Sequence, residues 1–342
     1  MKYELIGFLL LITSCKTVVD TNYKTITGNA QGTTYTITYQ DTIARNLQPA
    51  IDSILHHYDG ALSNYTSTST LQLFNTVDSV VTVRDTFGYF SDVMFQSMYL
   101  HKITDGAFNP AIWPLVQAWG FGTDKVEKAP VNIDSLLQLT KINDNTFELY
   151  TDSLGMLFTY HKKVNQRFDF NAIAQGHSVD VVYNFLASLG IQNAMVEIGG
   201  EVRVSGINKK GETWKLGIDK PIENATGRPL EAVISLHNKA IATSGNYRKF
   251  KMLNGKKVSH TINPITGKPV YHSLLSATVV ANTAATADGL ATAFMVMGAE
   301  KTKQFIIDNP NLEIGVYLIT ASDSGMDTFV SPLLSTMINA VD

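Results

Sequence analysis

Several common protein classes leave no mark on this chain. Its 342 residues contain one cysteine, so no disulfide framework holds the fold, which fits an exported protein without a reactive thiol in its folded part. There is no basic run, and the net charge is −3, so the footprint of a nucleic-acid-binding protein is missing and no generic acidic partner is indicated. No Gly-x-Gly-x-x-Gly opens a helix, which argues against a Rossmann domain. Charged residues are scarce at 17% against 44% hydrophobic, a balance that buries a full core and excludes disorder and coiled coil. One large domain or two intimate ones follows.

What is present begins at the N-terminus. Residues 5–12 form an apolar run too short to span a bilayer as a helix, and Thr13-Ser14 stand directly before Cys15. Small residues before a lone cysteine at the end of such a run resemble a bacterial lipoprotein signal, in which Cys15 becomes the lipidated first residue. The expectation is a signal over 1–15, a polar tether over 16–28 and a folded domain over 29–342, exported and anchored to the membrane on the periplasmic side of the cell envelope. The competing reading is a cytosolic protein whose N-terminal strand contains a cysteine.

The folded part alternates strand and helix patterns. Residues 33–39 alternate β-branched and aromatic residues as a strand entered through Gln31-Gly32. Ile43, Leu47, Ile51, Ile54 and Leu55 predict a helix over 43–58, and further helices are expected at 87–102 and 133–139. Strands are expected at 147–150, 156–161, 194–198, 201–205, 214–218, 232–237 and from 240. Gly199-Gly200 reads as a bulge or a close backbone approach. Tyr65 sits in a loop, where an aromatic is either a local plug or a stacking platform. Residues 107–122 concentrate aromatics and prolines, either as a wall for a planar group or as packing for a neighbouring subdomain.

Three places offer chemistry. In Asp169-Phe-Asn-Ala-Ile-Ala-Gln-Gly-His-Ser-Val-Asp180 an extended segment runs into a helix, with Asn171 as its expected N-cap and Val179, Val182, Leu186 and Leu189 on its buried face. Free N–H groups at that helix start, an acid beside them and Gly176 for close approach suit a phosphorylated ligand that also carries hydrogen-bond donors, while the stretch by itself reads first as a capped core helix with a surface Asp. Between Pro269 and Ala299 the only Asp, Glu, Lys or Arg is Asp288, in a segment apolar almost all round. Asp288 and Thr292 share one helix face. A carboxylate there needs a hard cation such as Mg²⁺, or else a lysine, arginine or backbone N–H. His260 precedes Asn-Pro and Thr-Gly turn signals, as a general base at a loop mouth or as a structural histidine.

These stretches, together with Leu62-Ser-Asn-Tyr65, Thr104-Asp-Gly-Ala-Phe-Asn-Pro110, Trp119-Gly-Phe-Gly122, Ile198-Gly-Gly-Glu201, Ala242-Thr-Ser-Gly-Asn-Tyr247 and Ala287-Asp-Gly-Leu-Ala-Thr292, stand in the order that resembles the ApbE family of FAD:protein FMN transferases. The resemblance implies a mixed α+β fold of two intimately packed subdomains with FAD in the cleft between them. It implies Mg²⁺-dependent transfer of FMN from FAD to a threonine or serine of an acceptor flavoprotein, with AMP released. The metal ligands would be the Ala172 carbonyl, the Asp288 carboxylate and the Thr292 hydroxyl. Gln31, Tyr65, Ala107, Phe108, Asn109, Asp169, Gln175 and Ile262 match FAD-contacting positions, and His260 matches the histidine that helps deprotonate the acceptor hydroxyl.

The chain departs from the family where many members carry Lys in place of Gln175 and Asp in place of Asn109 and Asn263. Losing a cation near the phosphates weakens the expected grip on FAD, and losing two acids touches metal stoichiometry or adenine contacts. The alternatives are an FAD pyrophosphatase giving FMN and AMP, and a lipoprotein that binds FAD without turnover.

Overall fold

Alternating apolar residues place a strand over Thr33–Gln40, and the chain on both sides of it builds the main sheet. The computed structural model describes residues 22–339 apart from 124–125, 127, 143–146, 153–154, 223–226, 228, 247–249 and 254–255. The expected signal and Cys15 lie outside the described residues, as does Tyr247.

In chain order the elements are β1 (Tyr23–Ala30), β2 (Thr33–Gln40), α1 (Gln48–Leu62), α2 (Thr70–Thr76), β3 (Val80–Asp85), α3 (Tyr89–Ile103), α4 (Trp113–Ala118), α5 (Ile133–Leu139), β4 (Phe147–Asp152), β5 (Gly155–His161) and α6 (Ala174–Ser188). Then follow β6 (Ala194–Ile198), β7 (Glu201–Ser205), β8 (Trp214–Asp219), β9 (Leu230–Leu236), β10 (Ala240–Gly245), β11 (Phe250–Leu253), β12 (Lys256–Ser259), β13 (Ile262–Asn263), β14 (Lys268–Pro269) and β15 (Leu274–Ala281). The chain ends with α7 (Ala284–Met297), α8 (Ala299–Asp308), β16 (Gly315–Ser322), β17 (Gly325–Val330), α9 (Pro332–Ser335) and β18 (Ile338–Asn339).

The main sheet has the order β1-β2-β6-β7-β10-β15-β16-β17, and every neighbouring pair is antiparallel, so the mixed α+β expectation holds and a Rossmann sheet is absent from it. Side chains alternate between two buried faces. On β15, Ala277, Val279 and Ala281 join the core that contains α7, while Val280 joins the core formed with β8 and β9. A second, three-stranded sheet, β3-β5-β4, packs with α2 and α3 around Phe74, Phe90, Phe158, Tyr160, Phe168 and Phe170.

Four expectations need correction. The tether over 16–28 overlaps β1, a half-exposed edge strand whose polar Tyr-Lys-Thr-Ile-Thr pattern hides its pairing with β2. The first helix starts at Gln48 rather than 43, because Ala44 takes a φ of +55° and Pro49 favours the first turn. Gly199 and Gly200, with φ of +65° and +116°, make the two-residue turn of the β6–β7 hairpin instead of a bulge. Asn171 does not cap α6. Its own N–H donates to Asp169 Oδ1 at 2.9 Å, and the helix starts after Ile173 without a side-chain cap.

Candidate active site

The segment 169–180 threads through three clusters of expected site residues. At its start Asp169 is buried, donates its N–H to the Pro110 carbonyl at 2.7 Å and accepts from Asn64 Nδ2 at 2.7 Å. Burial pushes its carboxyl up to about 6, against the pull of the Asn171 and Asn64 donors. Asp169 thus joins the 107–110 segment to the loop carrying Tyr65. Tyr65 is 68% exposed, which excludes the plug and leaves a free ring at the loop surface. Its loop is held by Ser63 Oγ, which accepts from the N–H groups of Tyr65 and Thr66. Ala107 and Phe108 are buried, and Phe108 has its N–H on Thr104 Oγ1 and its carbonyl 2.8 Å from His101 Nδ1.

The first turn of α6 forms a second cluster with two hairpin turns. Gln31, at φ +54° between β1 and β2, accepts from Ser178 Oγ at 3.2 Å, and its Nε2 is buried without a partner among the described residues. Gln175 Nε2 donates to the Ile198 carbonyl at 3.3 Å beside Gly199. Where many members carry a lysine, this chain spends an amide on a backbone carbonyl.

The third cluster is the seam between α6 and α7. The Gly176 N–H donates to Asp288 Oδ2 at 3.0 Å, so this group is not free as expected. A side chain at Gly176 would bring its Cβ within 2.3 Å of the Ala284 carbonyl oxygen, which is why only glycine fits. Four residues further along α6, Asp180 accepts from the N–H groups of Ala284 and Ala285, both at 2.9 Å, four and three residues back along α7 from Asp288. The helices run antiparallel here. Each such step advances both by about 6 Å, and one further step along α7 reaches Thr292, while on the other side the chain has left α6 for the turn over 171–173.

Asp288 is 6% exposed, and the lone-acid argument from the sequence holds: α7 is buried on nearly every side. Among the alternatives for balancing it, a backbone N–H is present, and among the described residues no lysine or arginine pairs with it. One N–H leaves the charge poorly compensated. Burial drives the carboxyl well above the ordinary carboxylate range, the Gly176 N–H opposes this and the nearby Asp180 carboxylate adds to it. Among the described residues no three His, Cys, Asp or Glu side chains gather, so a cation at Asp288 would complete its shell with hydroxyl, carbonyl, water or substrate oxygens.

His260 follows β12 as a half-buried ring, edge-on to Phe121 at 6.4 Å between centroids. The residues on either side of it, Ser259 and Thr261, donate their hydroxyls to Asn246 Oδ1 at 3.0 and 2.8 Å. Asn246 lies two residues past Ser244, whose Oγ is 3.3 Å from Thr292 Oγ1. The end of β10 therefore ties the histidine to the Asp288 and Thr292 face. Ile262 is buried against Leu115 and Trp119, and Trp119 Nε1 donates to the Gly267 carbonyl at 2.9 Å. The aromatic stretch thus packs the 258–270 unit.

Two departures from the family acquire a local account. Asn263 Oδ1 accepts from the N–H groups of Ile265 and Thr266, which a carboxylate does as well. Asn109 Nδ2 donates to the Thr140 carbonyl at 3.0 Å, a bond a carboxylate cannot make. Asp180, Asn246, Asn64 and the buried His177, 3.0 Å from the Tyr58 hydroxyl, drew no assignment from the sequence. Asp180 carried a usable signal: it is the only Asp, Glu, Lys or Arg in α6, the same argument that singled out Asp288.

Comparison with known proteins places this geometry. The ApbE family model matches residues 31–316. The FAD:protein FMN transferase of Haemophilus influenzae is 35% identical over 331 residues, covering 94% of this chain and 93% of that protein. That of Vibrio cholerae is 34% identical over 333 residues, with 94% of each covered. Among solved structures, the flavin transferase ApbE from Vibrio cholerae superposes with a TM-score of 0.79 at 32% identity, covering 92% of this chain and 99% of that one. The apo flavinyl transferase ApbE of Pseudomonas stutzeri gives 0.79 at 29% identity, covering 94% and 98%. With its fold, its motif order and most of its length shared with these proteins, the chain belongs to the ApbE family.

Proposed function

We propose that this protein moves FMN from FAD onto a serine or threonine hydroxyl of an acceptor flavoprotein and releases AMP. The observation that carries the reading is the buried Asp288 carboxylate, answered by one backbone N–H and tied through Thr292 and β10 to the His260 segment. The names of the relatives point the same way. The Ala172 carbonyl, Asp288 and Thr292 are hard oxygen donors that would hold Mg²⁺. Bound there, the ion supplies charge neutralisation for the FAD pyrophosphate. Gln31, Tyr65, the 107–109 segment, Asp169, Gln175 and Ile262 would line the FAD site, with the exposed Tyr65 ring available for stacking.

His260 takes the proton of the acceptor hydroxyl. The hydroxyl oxygen attacks the FMN phosphorus in line, the bond from that phosphorus to the bridging oxygen breaks, and AMP leaves with that oxygen. Positioning and electrostatics do most of the catalysis.

The test incubates protein lacking residues 1–20 with FAD and Mg²⁺, with and without an acceptor peptide. The peptide gains the mass of FMN in step with AMP release, and Asp288→Ala abolishes both. Free FMN and AMP with unmodified peptide would make the protein an FAD pyrophosphatase, and bound FAD with neither product an FAD-binding lipoprotein.

Lipidation of Cys15 and attachment to the periplasmic face of a membrane form part of the same proposal. Among the described residues no helix is long and apolar enough to cross a membrane. Mass spectrometry of the N-terminal peptide should find an acylated Cys15, and a Cys15→Ser protein that stays with the membrane fraction would overturn the anchor.

A further inference from the structure

We infer that Asp180 and Arg203 form a clamp that fixes α7 against α6 and so sets the cation affinity of the face bearing Asp288 and Thr292, an inference that rests on the functional reading above. Both carboxylate oxygens of Asp180 are used. Oδ1 accepts from the Ala284 N–H at 2.9 Å and from Arg203 Nη1 at 2.7 Å, and Oδ2 accepts from the Ala285 N–H at 2.9 Å. Ala284 and Ala285 begin α7, where N–H groups lack partners inside the helix. The Thr283 side chain accepts from the Thr286 N–H and reaches neither Ala284 nor Ala285, so Asp180 supplies from a neighbouring helix what the local cap does not. Arg203 comes from β7, and its guanidinium lies 4.0 Å from the Tyr183 ring centroid, so it balances the buried Asp180 while being held over α6.

The clamp and the Gly176–Asp288 bond are the polar pins of one seam, four residues apart on each helix. If the first pin loosens, the start of α7 slides or lifts, and Asp288 and Thr292 move relative to Ala172. Mg²⁺ tolerates such movement poorly, because its oxygen ligands must approach near-ideal octahedral geometry. Asp180 touches neither substrate nor ion in this account. It is a positioning residue.

The test is calorimetric titration of the full-length protein in detergent with Mg²⁺, comparing wild type with Asp180→Ala, Asp180→Asn and Arg203→Lys. Asp180→Ala should weaken Mg²⁺ binding by about tenfold or more, as loss of a supporting group does at metal sites, and Arg203→Lys by about threefold. In turnover, the KM for Mg²⁺ should rise by the same factors while kcat recovers at saturating Mg²⁺, and FAD affinity without Mg²⁺ should stay at the wild-type value. Should Asp180→Ala not fold, Asp180→Asn and Arg203→Lys decide. Wild-type Mg²⁺ affinity in both, with Asp288→Ala losing binding, overturns the clamp alone. A lower kcat that added Mg²⁺ does not restore overturns it too, as that marks a merely structural residue. A wild-type protein that binds no Mg²⁺ with or without FAD overturns the cation reading and the clamp together.

Discussion

The two sides of the candidate site are built on different principles. The Asp288 side is a seam of two buried helices, where small residues bring backbones close and the polar bonds run from carboxylate to backbone N–H. The His260 side hangs on short strands and turns, gathered by one asparagine side chain and by Trp119 reaching across to Gly267. Tolerance to substitution should differ accordingly. A helix pair pinned by backbone N–H groups holds its charge in one place, whereas a half-exposed histidine at a loop mouth leaves room for a macromolecular acceptor to approach.

The largest expected effect breaks the helical side. Gly176→Ala drives a methyl into the Ala284 carbonyl, and the helices must part, so FMN transfer should fall by about 10²-fold or more, as misplaced reacting groups do. Transfer rates near wild type, measured by acceptor mass, would show the seam to be more forgiving than its geometry. Next comes His260→Ala, expected to cut transfer by about 10²-fold, the usual worth of a general base, while leaving FAD affinity in place. If FAD binding collapsed with activity, the histidine would belong to the binding side. Asn246→Ala acts on the strand-and-turn side alone. It removes the acceptor shared by Ser259 and Thr261, and transfer should fall by about tenfold through a displaced His260, with Mg²⁺ affinity unchanged. An altered Mg²⁺ affinity would mean that β10 couples the two sides rigidly.

The smallest effect concerns stability. Asp169 has its carboxyl raised to about 6 by burial, so the folded state holds that proton more tightly than the unfolded chain does. The sign follows: this residue destabilises the fold increasingly as pH rises from about 4 to about 6, by roughly 2–3 kcal/mol at most. Buried His177, lowered to about 4 by burial, acts in the opposite direction over much of that range, and Asp288 acts in the same direction as Asp169, so the wild-type profile alone does not isolate Asp169. Denaturant melts of Asp169→Asn against wild type from pH 4 to 7 should therefore diverge, with the variant gaining relative stability at the upper end. Parallel profiles would place the Asp169 carboxyl at its ordinary value.

The helical side was the more legible one. Asp288 announced itself because a single acid in an apolar helix has to be answered by something, whereas Gly176 read as room for a ligand and instead admits the Ala284 backbone. Asp180 satisfied the same test but lay in a segment with more polar neighbours, and its partners, two backbone N–H groups and an arginine from β7, leave no trace in sequence spacing. Asn246 was opaque for a different reason. An asparagine after a glycine reads as turn chemistry, and its role depends on a hairpin that returns thirteen residues later. The edge strand β1 was missed because a half-solvated strand is as polar as a linker. Tyr65 was ambiguous until its exposure was known.

The antiparallel pairing of residues 176 with 288 and 180 with 284 also sets a rule for length variation. Inserting or deleting one residue inside either helix would rotate everything beyond it by about 100° and move it by about 1.5 Å, turning a carboxylate pin away from its N–H partner. A family that keeps this seam can therefore change the loops around it freely in length, while the stretches 176–180 and 284–292 are closed to single-residue insertion.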